Sequence, residues 1–422
     1  MKKHLTNSGA AASATSPLHQ IQEVSQRMKV LVAAASFSSQ ISGIQRHAFN
    51  VVRCLLQLQE ISAVHLVVAP WQRAMVDDGS LDPDPRLTIH IGEMEPSSVS
   101  RNLWYYRELP ILAARLRADV VHLTFPMPVD RSSFACPTVV TLHDLYPYEI
   151  PLNFGFPKCI FNRLALQQCL RNVDAIACVS EITDVLLRRY VPAAGRKAIR
   201  IYNCVEGEPL CAIESPIPGW QDEPFLLCVA QHRRNKNIPL LLRTFDLLLR
   251  RREIDRRTKL VVIGIGGPES RRIHRMVSDL GLRGRVHFLQ GLSEPELQWC
   301  YARCEAMVTP SITEGFGLPV AEALLAGCRV VCSDIPAFRE VGGNHCRFVA
   351  LRGDEEKALA EAIVATLQQP AQPPVALPQF SSSLLANQYL GLYHGLIASN
   401  ALPHKARFSG SLHAAATERQ SL

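Results

Sequence analysis

Short, wholly apolar runs alternate with longer amphipathic ones, and they do so twice along a chain of 422 residues. In the first half, residues 29–35, 64–69, 120–123, 138–142 and 175–179 have the length and composition of strands buried on both faces. Residues 47–57, 101–117 and 158–171 carry helical spacing between them, with a loop at 38–43 and a turn at 192–197. In the second half, 225–230, 260–264, 286–289, 306–309 and 329–332 read as strands, and 238–252, 268–280, 294–302, 318–326 and 355–367 as helices. A repeated strand–helix–strand order with right-handed crossovers predicts an α/β fold with a parallel, doubly wound sheet in each half. The length agrees, because one hydrophobic core rarely serves so many residues.

Hydrophobic residues make up 47% of the chain and charged residues 20%, the balance of a globular protein in water. No apolar run approaches the roughly 20 residues that span a bilayer. The first 27 residues are polar and rich in Ser and Ala, unlike a secretory signal, and the stretch from Leu402 is similar. Thirteen cysteines contain no Cys-x2-Cys pair, so they read as small buried hydrophobes in a reducing compartment. The formal net charge of +7 is partly concentrated in Arg250-Arg251-Arg252, Arg256-Arg257, Lys259 and Arg271-Arg272. These read first as a solvated face, with a contact for anionic lipid headgroups as the functional alternative. No nucleic-acid recognition module is present.

Glu314-Gly315-Phe316-Gly317-Leu318-Pro319-Val320-Ala321-Glu322 follows a strand and turns into a helix. Gly315 and Gly317 leave room for close approach of a ligand. Pro319 suits the first helical position, and the N–H groups around Gly317 and Leu318 point outward, where the helix dipole favours an anion. Open α/β sheets bind ligands at this place, beyond the carboxyl ends of strands. With a carboxylate at each end, the segment suits a molecule with phosphates on one side and hydroxyls to grip, a nucleotide sugar. A capped amphipathic helix with Val320, Ala323, Leu324 and Ala326 facing a core would account for the same letters.

The pattern Pro310-Ser311-x-x-Glu314-Gly315-Phe316-Gly317-Leu318-Pro319-x-x-Glu322-Ala323 resembles the signature of retaining glycosyltransferase family 4, the glycosyl transferases group 1. Glu314 and Glu322 match the family's Glu-x7-Glu pair. Further pieces follow in family order: Gly43-Ile44-x-Arg46-His47, Thr141-Leu142-His143-Asp144-Leu145, Cys178-Val179-Ser180-Glu181, Ile201-Tyr202-Asn203-Cys204-Val205, Lys236-Asn237 and Glu340-Val341-Gly342-Gly343. The resemblance implies the GT-B architecture, two Rossmann-like domains facing across a cleft. An acceptor domain is expected over 28–205, a Pro- and Gly-rich linker over 206–222 and a nucleotide-sugar donor domain over 223–378. A helix over 379–400 would return to the first domain, and 1–27 and 401–422 would be disordered tails.

The resemblance also implies roles. Glu322 would hold the ribose hydroxyls, and Glu314 would contact the donor sugar together with Gly315 and Phe316. Arg233 and Lys236 match the family's phosphate-gripping pair. Ala230 and Gln231 depart from its pattern, which leaves Arg234 competing for the first role. Gly43, Gly317 and Leu318 would offer backbone N–H groups to the diphosphate. His143, just past a strand, would face the cleft as a catalytic residue beside Glu314, bonding the donor sugar or orienting the acceptor; Arg46, His47 and His122 are weaker candidates. Retention fits either a double displacement through Glu314 or a front-face route, and both stay open.

Trp104, Tyr105 and Tyr106 read as helix packing or as an acceptor platform. No cofactor and no metal are expected: no Gly-x-Gly-x-x-Gly follows a strand, and the one Asp-x-Asp, Asp82-Pro83-Asp84, lies in a Pro-rich turn. The expected partners are a nucleotide-sugar donor, with GDP-mannose suggested by the Lys236-Asn237 surroundings, and a saccharide or lipid-linked oligosaccharide acceptor. The expected location is cytoplasmic, with peripheral contact at the inner face of the membrane. The competing classes are a sugar-nucleotide epimerase or phosphorylase on the same architecture, and a silent sugar-nucleotide binder, which would be expected to lack Glu314 or Lys236.

Overall fold

The computed structural model describes residues 27–39, 42–77, 81–207 and 214–401. The expected tails lie outside the described residues apart from residues 27 and 401, as do residues 40–41 of the first loop and 208–213 of the linker. In the first half the strands are β1 (Met28–Ala33), β2 (Ile61–Val68), β3 (Leu87–Ile91), β4 (Val120–Leu123), β5 (Thr138–Leu142), β6 (Ala175–Cys178) and β7 (Ala198–Arg200). The helices are α1 (Gly43–Leu56), α2 (Arg73–Asp77), α3 (Ser98–Leu116), α4 (Tyr146–Glu149), α5 (Lys158–Asn172) and α6 (Glu181–Tyr190). The seven strands form one sheet in the order β3-β2-β1-β4-β5-β6-β7, all pairs parallel.

The second half repeats the plan. Its strands are β8 (Phe225–Val229), β9 (Lys259–Ile263), β10 (Val286–Leu289), β11 (Ala306–Thr309), β12 (Val330–Ser333) and β13 (Cys346–Val349). Its helices are α7 (Ile238–Arg251), α8 (Ser270–Asp279), α9 (Glu294–Arg303), α10 (Leu318–Leu325), α11 (Pro336–Gly342) and α12 (Glu355–Leu367). The sheet order is β10-β9-β8-β11-β12-β13, again all parallel. The strand order reverses between β1 and β4 in one sheet and between β8 and β11 in the other. Loops leaving those strands at their carboxyl ends form the crevices where such sheets take ligands. Here these are the turn into α1, the loop carrying Lys236 and the loop carrying Glu314.

Each sheet is covered on both faces. Leu109, Leu123, Val140 and Leu170 lie in one core of the first half, and Val32, Val52, Val64 and Ile61 in the other. A last helix, α13 (Ser382–Ala401), packs on the second of these through Leu385, Ala386, Tyr389 and Tyr393, which share a helical face. Trp104 and Tyr105 are buried, with the Tyr105 hydroxyl donating to the Ala35 carbonyl at 3.2 Å, so packing accounts for both. Strands β3, β7 and β13 and helices α6 and α11 were not legible as periodic segments. β3, β7 and β13 are edge strands; β3 and β7 expose most of their side chains, β13 is only partly buried, and none carries a continuous apolar run.

A polar chain crosses the first core. Nε2 of His47 and Nε2 of His122 both meet the Thr141 hydroxyl, at 3.1 and 2.8 Å, and Nδ1 of His122 meets the Tyr393 hydroxyl at 2.6 Å. The His47 ring stands edge-on to His143, with centroids 4.6 Å apart. Burial pushes His122 down to about 3 and His143 to about 4, and holds His47 well below the usual imidazole range. These rings stay neutral in the folded chain, whereas unfolded histidines take a proton near pH 6.5. Stability is therefore full above pH 6.5 and falls as pH drops toward the folded values, by about 1.4 kcal/mol per pH unit for each ring that stays neutral. Melting temperature measured from pH 7.5 to 5 should fall steadily below 6.5; a flat profile over that window would contradict the assignment.

Candidate active site

The loop after β11 is wedged against the first domain. An added Cβ on Gly315 would lie 1.7 Å from the His143 carbonyl oxygen, so no side chain fits there. The Gly315 carbonyl accepts hydrogen bonds from the Ser180 hydroxyl and, at 3.1 Å, from the Thr183 hydroxyl. Ser180 also caps α6 by accepting from the Thr183 N–H at 3.1 Å. Glu340 reaches across from α11 to accept the Glu181 N–H at 2.8 Å. Gly317 caps α10 with a φ of 108°, and its missing Cβ makes room for the Phe338 ring 2.9 Å away. The sequence assigned both glycines' free space to a ligand; in the structure protein atoms take it.

Pro319 is the second helical residue rather than the first, because α10 begins at Leu318. Its missing N–H still falls within the first turn, where no intrahelical partner exists. Among the described residues the N–H groups of Gly317 and Leu318 have no hydrogen-bond acceptor. Phe316 is a correction of another kind. Its ring is buried against Phe380 and Tyr202, at centroid distances of 5.1 and 6.1 Å. Only its backbone is left to meet a donor sugar.

Glu314 and Glu322 are each held by one cation and one phenol, and in each case the two come from different domains. Nζ of Lys236 lies 2.6 and 2.8 Å from the two oxygens of Glu314, and the Tyr146 hydroxyl donates to Oε2 at 3.0 Å. Nη1 of Arg46 lies 3.1 Å from Oε1 of Glu322, and the Tyr301 hydroxyl donates to Oε2 at 2.7 Å. Nη2 of Arg46 also meets Glu294 on α9 at 2.6 Å. Burial, and next the carboxylate each faces, raises both phenols well above the usual tyrosine range, which fixes them as donors. Burial opposes the charge on Arg46, and Glu322 with Glu294 more than restores it.

His143 donates from Nε2 to the Thr124 carbonyl at 2.8 Å, since a carbonyl can only accept. The neutral ring then keeps its Nδ1 lone pair, an acceptor suited to a sugar hydroxyl. Burial raises Asp144 above the usual carboxylate range, against the pull of Arg233 and Lys236. Arg233 is half-buried, whereas Arg234 is exposed with its backbone N–H on Asn153 at 3.2 Å. The turn at Gly43 closes from the other side, where an added Cβ would sit 3.7 Å from Leu318.

The structure thus brings Gly43, His143, Lys236, Glu314, Leu318 and Glu322 to one seam. Tyr146, Tyr301 and Glu294 were missed, because nothing local marks a tyrosine or an exposed helical glutamate as a cleft residue. Asp84 spends its carboxylate on Arg86 at 2.9 Å, and no group of His, Cys, Asp and Glu suited to a metal occurs among the described residues. Gly315→Ala should force the loop off His143, lowering stability by about 1–3 kcal/mol, as overpacking does, and abolishing donor binding. Thermal denaturation and nucleotide titration of the variant would show it; a wild-type melting point would refute the wedge.

Residues 41–208 match the family described as Glycosyltransferase Family 4, and residues 213–376 match Glycosyl transferases group 1. The chain is 29% identical over 232 residues to O-antigen chain mannosyltransferase RfbU of Salmonella typhimurium, covering 55% of this chain and 61% of that protein. It is 24% identical over 343 residues to O-antigen chain mannosyltransferase B of Escherichia coli, covering 75% of this chain and 85% of that one. Its fold matches that of WaaG, a glycosyltransferase involved in lipopolysaccharide biosynthesis, with a TM-score of 0.58 and 16% identity over 90% of this chain and all of the other. With two parallel α/β domains meeting at a Glu-x7-Glu loop, the chain belongs to the group 1 glycosyltransferases of GT-B fold.

Proposed function

We propose that the protein is a retaining glycosyltransferase that moves a sugar, mannose in the first instance, from a nucleoside-diphosphate sugar to a saccharide acceptor in polysaccharide biosynthesis. The observation that carries this reading is the Lys236–Glu314 pair at the head of α10, beyond the carboxyl end of β11. Charge builds on the departing diphosphate as the glycosidic bond breaks, and fixed donors in a dry cleft stabilise it most. Lys236 has three N–H donors, of which Glu314 takes two. The third, with the N–H groups of Gly317 and Leu318 and the charge of Arg233, forms the diphosphate grip. Gly43 adds its backbone from the facing domain. Glu322 takes the ribose hydroxyls, and Nδ1 of His143 accepts from the donor sugar. The mannosyl donor is supported by the two O-antigen relatives, both named as mannosyltransferases.

Both oxygens of Glu314 already accept strong hydrogen bonds from Lys236 and Tyr146. A carboxylate held in this way is a poor nucleophile and a good anchor. The geometry therefore favours the front-face route, in which the leaving phosphate takes the acceptor's proton. Nothing in the cleft favours an epimerase or a phosphorylase.

The acceptor, in this reading, is carried on a lipid. The basic clusters of the second domain do not support that contact: Arg250, Arg257 and Arg272 are each paired with a neighbouring acid, Asp246, Asp255 and Glu269. The support comes from the turn before α5 and its first turns. Phe156 is 82% exposed, and Leu152, Ile160, Phe161 and Leu164 stand out beside it. The cations Lys158 and Arg163 flank this patch. It adjoins the cleft, since Asn153 bonds Asn235 of the Lys236 loop at 3.0 Å. No described helix is long and apolar enough to cross a membrane, so the contact would be peripheral.

Two measurements test this. With GDP-mannose as donor, nucleoside diphosphate should be released only when acceptor is present, and Lys236→Ala should lower turnover ~100-fold or more. Unchanged turnover in that variant would remove Lys236 from the mechanism. The double variant Phe156→Ser, Phe161→Ser should reduce co-sedimentation with anionic vesicles by on the order of 10-fold, as loss of two buried phenyl rings implies. Equal sedimentation would place any membrane contact elsewhere.

A further inference from the structure

Arg46 spans the seam between the domains with a single guanidinium. It rises from the first turn of α1 in the acceptor domain and ends between α9 and α10 of the donor domain. One arm, Nη2, is seated on Glu294 at 2.6 Å, and the other, Nη1, rests on Oε1 of Glu322 at 3.1 Å. The remaining oxygen of Glu322 is taken by Tyr301, which is fully buried and stays a donor. Both oxygens of the carboxylate assigned to the ribose thus have a protein donor in the ligand-free chain. The Tyr301 bond lies within the donor domain and is the shorter. The Arg46 bond crosses between domains, is the longer, and belongs to a side chain that has a second acid to fall back on.

We propose that Arg46 is a nucleotide-displaced clasp. Without donor it occupies the place on Glu322 that a ribose hydroxyl takes, and it holds the two domains together there. When the nucleotide enters, the ribose hydroxyl donates to Oε1 in place of Nη1. Arg46 then withdraws to Glu294, so the guanidinium is never left without an anion. The seam gives way at one contact rather than along its length, because the Gly315 wedge and the α6 cap do not involve the ribose site. The proposal rests on the assignment of Glu322 to the ribose.

The experiment compares wild type and Arg46→Met in binding GDP and 2′,3′-dideoxy-GDP by calorimetry, with UDP as a second nucleotide. Methionine fills the aliphatic part of the arginine path and removes the competing donors. Arg46→Met should bind GDP about 5-fold tighter than wild type, in line with the loss of one competing charge-assisted bond. The gain should vanish with the dideoxy compound, which has no hydroxyl to exchange for Arg46. Equal affinity for GDP in the two proteins, or weaker binding by the variant, would overturn the clasp; weaker binding of both compounds would make Arg46 a phosphate contact instead.

Arg46→Lys, which keeps the charge but cannot reach both acids at once, should fall between the two. A variant that merely unsettled the fold would weaken both nucleotides alike and lower the melting point. Failure of the underlying assignment reads differently: Arg46→Met, with the competing arginine gone, would then bind GDP and its dideoxy analogue equally well, or neither protein would bind either nucleotide.

Discussion

The contact between the Gly315 backbone and the His143 carbonyl is the constraint from which the rest of the cleft follows. Two loops from different sheets meet there at a distance that excludes any side chain. A carbonyl buried in such a seam needs donors, and Ser180 and Thr183 at the start of α6 supply them. The same serine caps α6, and Glu340 satisfies a further free N–H of that helix from across the seam. With its carbonyl pinned, the loop can only present its N–H edge forward, at the head of α10. Glu314, one residue back, is then fixed within reach of Lys236 and Tyr146. In the proposed role of this loop, gripping a diphosphate without reorganising, being held on the side away from the ligand is an advantage.

This seam explains why several short sequence pieces travel together. Ser180 and Glu181, Glu340 and Gly315 are far apart in the chain and touch in space. None of them needs to meet a substrate. Their chemistry is that of two domains closing on each other with every buried polar group paired, which is costly to leave undone.

The central strands were legible in the sequence because β1, β4, β5, β8 and β11 are covered on both faces and are mostly apolar, with few polar residues such as His122 and Thr141 among them. Of the edge strands only β10 was read; β7, for one, is three residues long and mostly in water, and nothing in its composition separates it from a turn. Helix α6 went unread although Ser180 is its cap, since the serine was taken only as part of a family pattern. In the candidate site, the sequence singled out Lys236, Glu314, Glu322 and His143 by residue type, and the structure brings them to one seam. Their partners were not singled out, because Tyr146, Tyr301 and Glu294 become meaningful only once helices from two domains are brought together. Gly315 was found for the wrong reason. A glycine tolerates close approach of any atom, and the sequence alone does not say whether that atom is a ligand's or the protein's own.

Crossed pairing of the two carboxylates gives the closed cleft its electrostatic character. Glu314 takes its cation from the second domain and its phenol from the first; Glu322 does the reverse. Neither domain alone can neutralise both acids. Parted domains would leave Glu322 without Arg46, and water would have to make up the difference. Closed domains leave both carboxylates fully engaged by protein donors. A hydroxyl arriving at Glu322 finds both oxygens already engaged, so it binds there by exchanging partners rather than by filling a vacancy. The exchange is easiest where the protein's own bond is longest and its donor has another acid at hand. Arg46 meets both conditions, at 3.1 Å from Glu322 and 2.6 Å from Glu294. Lys236, at 2.6 and 2.8 Å from Glu314 with no second acid among its bonds, meets neither. On the proposed assignment, the two ends of the donor would be received differently: the ribose by substitution, and the diphosphate by addition to a lysine that keeps its carboxylate throughout.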